Sequence, residues 1–164
     1  MRTCVAALLA CGSAASGVAA GAAGSPLARV SPPRGGYSVE LPRTWRFANA
    51  SYPSDHATHL WFDPANALRK MLVVLSGCAG CAQRNGQPDP GAVVPAGATS
   101  VRRLSASTVA FQDFTADDPW VANGVAIVVR QNGAIDGYVT VELWLPARQH
   151  ALATTILNSL RLDS

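Results

Sequence analysis

Two cysteines three positions apart, Cys78-Ala79-Gly80-Cys81, are the sharpest chemical feature of the chain. The pair has three uses. Oxidised, as cysteines outside the cytoplasm usually are, it would bridge and pin a Gly-containing turn. As a dithiol after an apolar strand, it has the spacing of a thioredoxin-like redox motif. Reduced and joined by His56 and His59, it would offer two thiolates and two imidazoles, a tetrahedral set that zinc favours.

The surrounding residues favour the structural bridge. Only Ala82 to Asn85 separate Cys81 from Gly86 and Pro88. That leaves no room for the helix whose N-terminus lowers the pKa of an attacking thiol. Gly77 also stands where thioredoxins carry an aromatic residue. The zinc alternative on His56, His59, Cys78 and Cys81 has a spacing problem, because residues three apart on a strand point to opposite faces. A bridged pair cannot ligate, so no metal and no other cofactor is expected.

Ser54, Asp55, His56, His59 and Asp63 hold acid, base and hydroxyl groups close together in sequence. A nucleophilic triad converges from separate segments, so adjacency is weak support for one. No Gly-x-Ser-x-Gly elbow, phosphate-binding loop or His-Glu-x-x-His motif occurs. The reading leans away from an enzyme and assigns no catalytic residue. Trp61 and Trp120 lie beside the turn-forming pairs Asp63-Pro64 and Asp118-Pro119, which makes them the candidates for an exposed binding patch. Trp45 and Trp144 fall in alternating patterns and are expected in or near the core.

The other two cysteines sit in residues 1–24, a stretch with no acidic residue and one Arg. Met1-Arg2-Thr3, the apolar run Cys4 to Ala10 and the small residues beyond make an export signal. Within it, Leu8-Leu9-Ala10-Cys11-Gly12 resembles a bacterial lipobox, with Cys11 as the lipidated residue and the membrane as the partner it implies. The alternative is cleavage near Ala20-Gly21-Ala22 and free secretion. Gly12, Ser13, Ser16, Gly17 and Gly21 interrupt a run that needs about 20 apolar residues to span a bilayer. Residues 25–36 read as a flexible tether, and an extracytoplasmic domain follows over 37–164.

Charge narrows the partners. Thirteen basic against ten acidic residues leave +3, and the basic residues are scattered, so nucleic acid is not an expected partner. A protein or small molecule remains. At 164 residues with 49% apolar content, one domain with a real core is expected.

The elements that must position these groups follow from periodicity. Tyr37, Val39 and Leu41 alternate, as do Trp45 and Phe47, and the two runs are expected to form an N-terminal hairpin. Thr58 to Phe62 is a third strand, and Asp63-Pro64 should open a helical turn to about Arg69. Met71 to Leu75, apolar on both faces, suits a central strand. Gln83 to Ala98 holds three Pro and three Gly and reads as a long loop. Thr99 to Leu104 and Thr108 to Phe114 are strands, and Gly124 should close a turn begun at Asp118. Val125 to Arg130 and Tyr138 to Leu145 flank the hairpin signal Asn132-Gly133. Leu152, Ile156 and Leu160 mark one face of a closing helix. The sum is an α+β architecture: a single antiparallel sheet of about six or seven strands, with a C-terminal helix and short helices packed on it.

Both ends of this pattern carry a family resemblance. Tyr37-Ser38-Val39-Glu40-Leu41-Pro42-Arg43-Thr44-Trp45 resembles the opening strand-Pro-x-x-Trp of PsbP-like α/β/α sandwich domains. Leu145-Pro146 through Ile156-Leu157-Asn158-Ser159-Leu160 is similar to their last strand and closing helix. The resemblance implies that fold and, through the actinobacterial lipoproteins and secreted proteins that share it, an extracytoplasmic setting. It carries over no catalytic residue and no photosynthetic role.

Overall fold

The computed structural model describes residues 26–51, 56–114 and 120–163 of the chain. The segment read as an export signal, with Cys11, lies outside these residues, as do Ser54, Asp55, Asp118 and Pro119.

Among the described residues there are twelve strands and one α-helix. The strands are β1 (Leu27–Val30), β2 (Tyr37–Pro42), β3 (Arg46–Ser51), β4 (His56–Asp63), β5 (Asn66–Ser76), β6 (Gln83–Arg84), β7 (Gln87–Pro88), β8 (Arg102–Arg103), β9 (Thr108–Phe114), β10 (Trp120–Gln131), β11 (Ala134–Pro146) and β12 (Arg161–Leu162). The helix is α1 (His150–Ser159). Seven strands form one antiparallel sheet in the order β3-β4-β5-β11-β10-β9-β8. Beside it stand a three-stranded sheet, β1-β2-β12, and the small hairpin β6-β7. The architecture is therefore α+β with a main sheet of seven strands, and a second, smaller sheet is added to the single one that the periodicity indicated.

Period-two alternation decides which face of the main sheet is buried. The register sets Trp61 opposite Met71, Val73 opposite Val141, and Val141 opposite Val125. These side chains share one face, and it is covered by Tyr37, Val39 and Leu41 of β2 and by Ala153 and Ile156 of α1. Each large aliphatic side chain buried there contributes about 1.5–3 kcal/mol. The opposite face is covered in part by residues after β5. Val93, Val94 and Ala98 pack on Val109, Phe111 and Ala126.

The longest hairpin, β10-β11, turns at Asn132-Gly133, with φ of 51° and 83°. Positive φ at both central positions is what a twisted two-residue hairpin needs, and Asn-Gly supplies it at least cost. Asn85-Gly86 does the same between β6 and β7, with φ of 52° and 74°. The stretch read as one long loop is thus folded back on itself.

Several expectations are corrected. Residues 25–36 are not all tether, because β1 pairs with β2 from Leu27 opposite Pro42 to Val30 opposite Val39. The Arg29 guanidinium fixes this strand by donating to Ser38 Oγ at 3.0 Å, to Glu40 Oε1 at 3.0 Å and to the Ser159 carbonyl at 3.3 Å. The folded domain therefore starts at Leu27 rather than Tyr37. β2 and β3 do not form a hairpin: β2 joins the small sheet, whereas β3 pairs with β4. Asp63-Pro64 opens no helix, and the chain turns directly from β4 into β5. There Asp63 Oδ1 accepts the Ala65 N–H at 2.9 Å, an Asx turn in place of a helix cap. The strand expected over Thr99 to Leu104 contracts to the two residues of β8. Gly124 closes no turn but lies within β10, where a Cβ would strike the Phe111 ring and come within 2.6 Å of the Val141 carbonyl oxygen.

Candidate binding cleft

Cys78 and Cys81 are joined by a disulfide, with Cα atoms 5.4 Å apart. They frame a single 3-10 turn, Ala79–Ala82, and no α-helix begins there. The Cys78 N–H donates to Ser76 Oγ at 3.1 Å, which ties the turn to the end of β5. The bridge thereby directs the chain onto the outer face of β11, from which it continues to the apolar cover over Phe111.

The two histidines do not join it. His56 is exposed, with its ring 6.4 Å from that of Tyr138 on the outer face. His59 lies on the inner face, 6% exposed, between Tyr37 at 5.7 Å and Phe47 at 5.5 Å between ring centres. With the sulfurs bonded to each other and the imidazoles on opposite faces, the four-ligand zinc alternative is not assembled. Among the described residues no group of three or more His, Cys, Asp or Glu side chains stands close enough to hold a metal.

Burial holds the His59 pKa below its ordinary value, because the charged ring would lose water without gaining a partner. Its Nδ1 makes no hydrogen bond among the described residues. Asp63, the other acid-base candidate here, is engaged in the turn and accepts from Arg69 at 3.3 Å.

Trp61 is also corrected. It is 7% exposed and belongs to the core, where its Nε1–H donates to the Tyr37 hydroxyl at 3.0 Å. Burial pushes the Tyr37 phenol up to about 12, and the Trp61 bond opposes part of that rise. The Trp61 position beside Asp-Pro suggested a loop, but the strand runs on to Asp63 and its inner face is closed by β2. Trp120 begins β10, with its backbone opposite Pro146, and its side chain lies outside what is described. Trp45 is in the core, and Trp144 is half-buried with the Lys70 ammonium 4.9 Å from its ring centre.

A cleft lies elsewhere, between α1 and the β8-β9-β10 end of the main sheet. It is open, with a volume of about 550 Å³, within the range of small-ligand sites. Its floor is polar at one point, where Gln112 Nε2 donates to Asn123 Oδ1 at 3.0 Å and Asn123 is 7% exposed. Ala110 and Val125 make the floor apolar on either side, and Leu157 adds an apolar side chain from α1. One wall is helical: His150, Thr154 and Asn158 follow one another at intervals of four along α1. The other wall is the Ser100–Leu104 segment, whose Val101 and Leu104 are 51% and 50% exposed.

None of these residues was singled out from the sequence. The signal for one wall was present, because residues four apart share a helix face. The His150, Thr154, Asn158 series is a polar stripe beside the apolar one. The opposite wall arises only from β8 pairing with β9, Arg102 opposite Ala110, a contact that no local pattern announces.

No protein-family model matches the chain, and no curated protein sequence matches it significantly. Among solved structures the fold is similar to the solution structure of cyanobacterial PsbP (CyanoP) from Synechocystis sp. PCC 6803. The TM-score is 0.55 at 13% identity, and the likeness covers 95% of this chain and 99% of that one. The fold is PsbP-like. At that identity the likeness reaches the fold and stops short of function. No helix among the described residues is long and apolar enough to cross a membrane.

Proposed function

We propose that this chain is an extracytoplasmic, non-catalytic binding protein, held at the membrane through Cys11, that takes a small ligand in the cleft between α1 and β8-β10. The cleft is the observation that carries this reading. Its polar groups are amides, the hydroxyls of Ser100 and Thr154, an imidazole and a guanidinium, a set suited to recognition. The Thr154 hydroxyl is committed to its own helix, donating to the His150 carbonyl at 3.0 Å, which counts against a nucleophilic role.

Membrane attachment rests on the lipobox-like segment and the lipoproteins that the sequence resembles. Replacing Cys11 by Ser is expected to release the protein from the membrane fraction. Binding is tested by native mass spectrometry of the protein purified from its own membranes, beside a Thr154→Trp variant. Thr154 is exposed, so the indole fills the cleft without disturbing the core. Wild type is expected to retain a bound small molecule that the variant lacks. Equal spectra for the two would sink the binding role of the cleft.

A further inference from the structure

The proposed role leaves the ligand undefined, and the lining of the cleft narrows it. We infer that the cleft takes a single-chain aliphatic carboxylate, its tail on the apolar floor and lip and its head between Arg102 and the Gln112–Asn123 amides. This rests on the cleft being the binding site.

Three observations support it. Among the described residues, the lining of Arg102, Gln112, Asn123, His150, Thr154, Asn158 and their neighbours contains no carboxylate. Within it, Arg102 has no acidic side chain in salt-bridge distance among the described residues. The adjacent Arg103 differs, with Asp89 at 3.7 Å and the Ala106 carbonyl at 3.1 Å. A guanidinium that meets no acid among the described residues favours an anion, and its paired N–H groups match a carboxylate.

Second, Asn123 is more than nine-tenths buried and spends its Oδ1 on Gln112. Its amide N–H groups make no hydrogen bond among the described residues, so they remain donors for an acceptor in the cleft. Third, Val101 and Leu104 are two of the three exposed large hydrophobic residues among those described, and both stand on the lip. A tail laid across them would remove that surface from water. A neutral sugar would leave the lip uncovered, and a cation would meet Arg102.

The test is an NMR titration of the ¹⁵N-labelled protein with dodecanoate, dodecanol and dodecyltrimethylammonium, each below its micellar concentration. Dodecanoate is expected to bind saturably and to move the Gln112 and Asn123 side-chain amide signals. Dodecanol should bind about fivefold more weakly, and the cation not measurably. Arg102→Gln, at an exposed position, should weaken dodecanoate about fivefold and leave dodecanol unchanged. Thr154→Trp should abolish both. Dodecanol binding as tightly as dodecanoate, or a silent Arg102→Gln, overturns the carboxylate while leaving the cleft a binding site. Undiminished binding to Thr154→Trp overturns the cleft itself. Binding of no probe overturns the inference and leaves the proposed function to the mass-spectrometric comparison.

Discussion

The Tyr37–Trp61 pair allows a prediction with two independent readouts. Tyr37→Phe removes one hydroxyl from a ring that is 0% exposed and orphans a Trp61 N–H that donates to it at 3.0 Å. An unsatisfied buried donor costs about 1–3 kcal/mol. Taking about 2 kcal/mol, and an unfolding entropy of about 2.1 cal/mol/K over roughly 130 residues, the melting temperature falls by about 7 °C. Alkaline pH supplies the second readout. Unfolded Tyr37 ionises near 10.0, whereas the folded phenol holds its proton to about 12. Over that window the folded state binds more protons, so stability falls as pH rises. At pH 11 wild type has lost about 1.4 kcal/mol that Tyr37→Phe, with nothing to ionise, retains. Urea unfolding at pH 8 and pH 11 should therefore show the gap between the two proteins narrowing from about 2 to about 0.6 kcal/mol. A variant within about 0.5 kcal/mol of wild type at pH 8 would falsify the buried bond. A gap that stays constant to pH 11 would refute the raised phenol pKa.

The disulfide and His59 give two shorter tests. Closing a four-residue loop is worth about 2 kcal/mol in the chain-entropy account, so Cys78→Ser with Cys81→Ser should lower stability by no more than that and keep the fold. A wild-type reduction potential above about −230 mV, together with insulin reduction, would instead point to a redox enzyme. His59 has a lowered pKa in the folded state, so below the unfolded value of 6.5 the unfolded chain binds the extra proton. Stability should decline between pH 7 and 5 in wild type and decline less in His59→Phe, followed by chemical denaturation. Parallel curves for the two proteins would remove His59 as the cause.

The reach of the sequence can be judged element by element. The β10-β11 hairpin was legible because Asn-Gly is a local signal and the alternation of Val139, Val141 and Leu143 fixes a buried face. The closing helix was legible through Leu152 and Ile156. The β2 run was also recognised as a strand, but its partners were not, since alternation says which face is buried and nothing about the neighbour. Trp61 misled for a related reason. Asp63-Pro64 does mark a chain reversal, though not the helical turn expected there, and β2 crosses over the strand that precedes it. The cleft depends on two segments about fifty residues apart in sequence meeting across β9 and β10, and no local rule brings them together. The disulfide was the exception, because three residues of separation already confine the two sulfurs.

The pairing of β1 also bears on distance. In the lipoprotein reading, a tether running from Gly12 to Gly36 would span at most about 90 Å when fully extended. With Leu27 already part of the small sheet, the span from Gly12 to Pro26 allows at most about 55 Å. If Cys11 carries the proposed lipid, the Arg29 clasp onto Glu40 and Ser159 would set the working radius of the domain and hold its cleft in a shell close to the lipid surface.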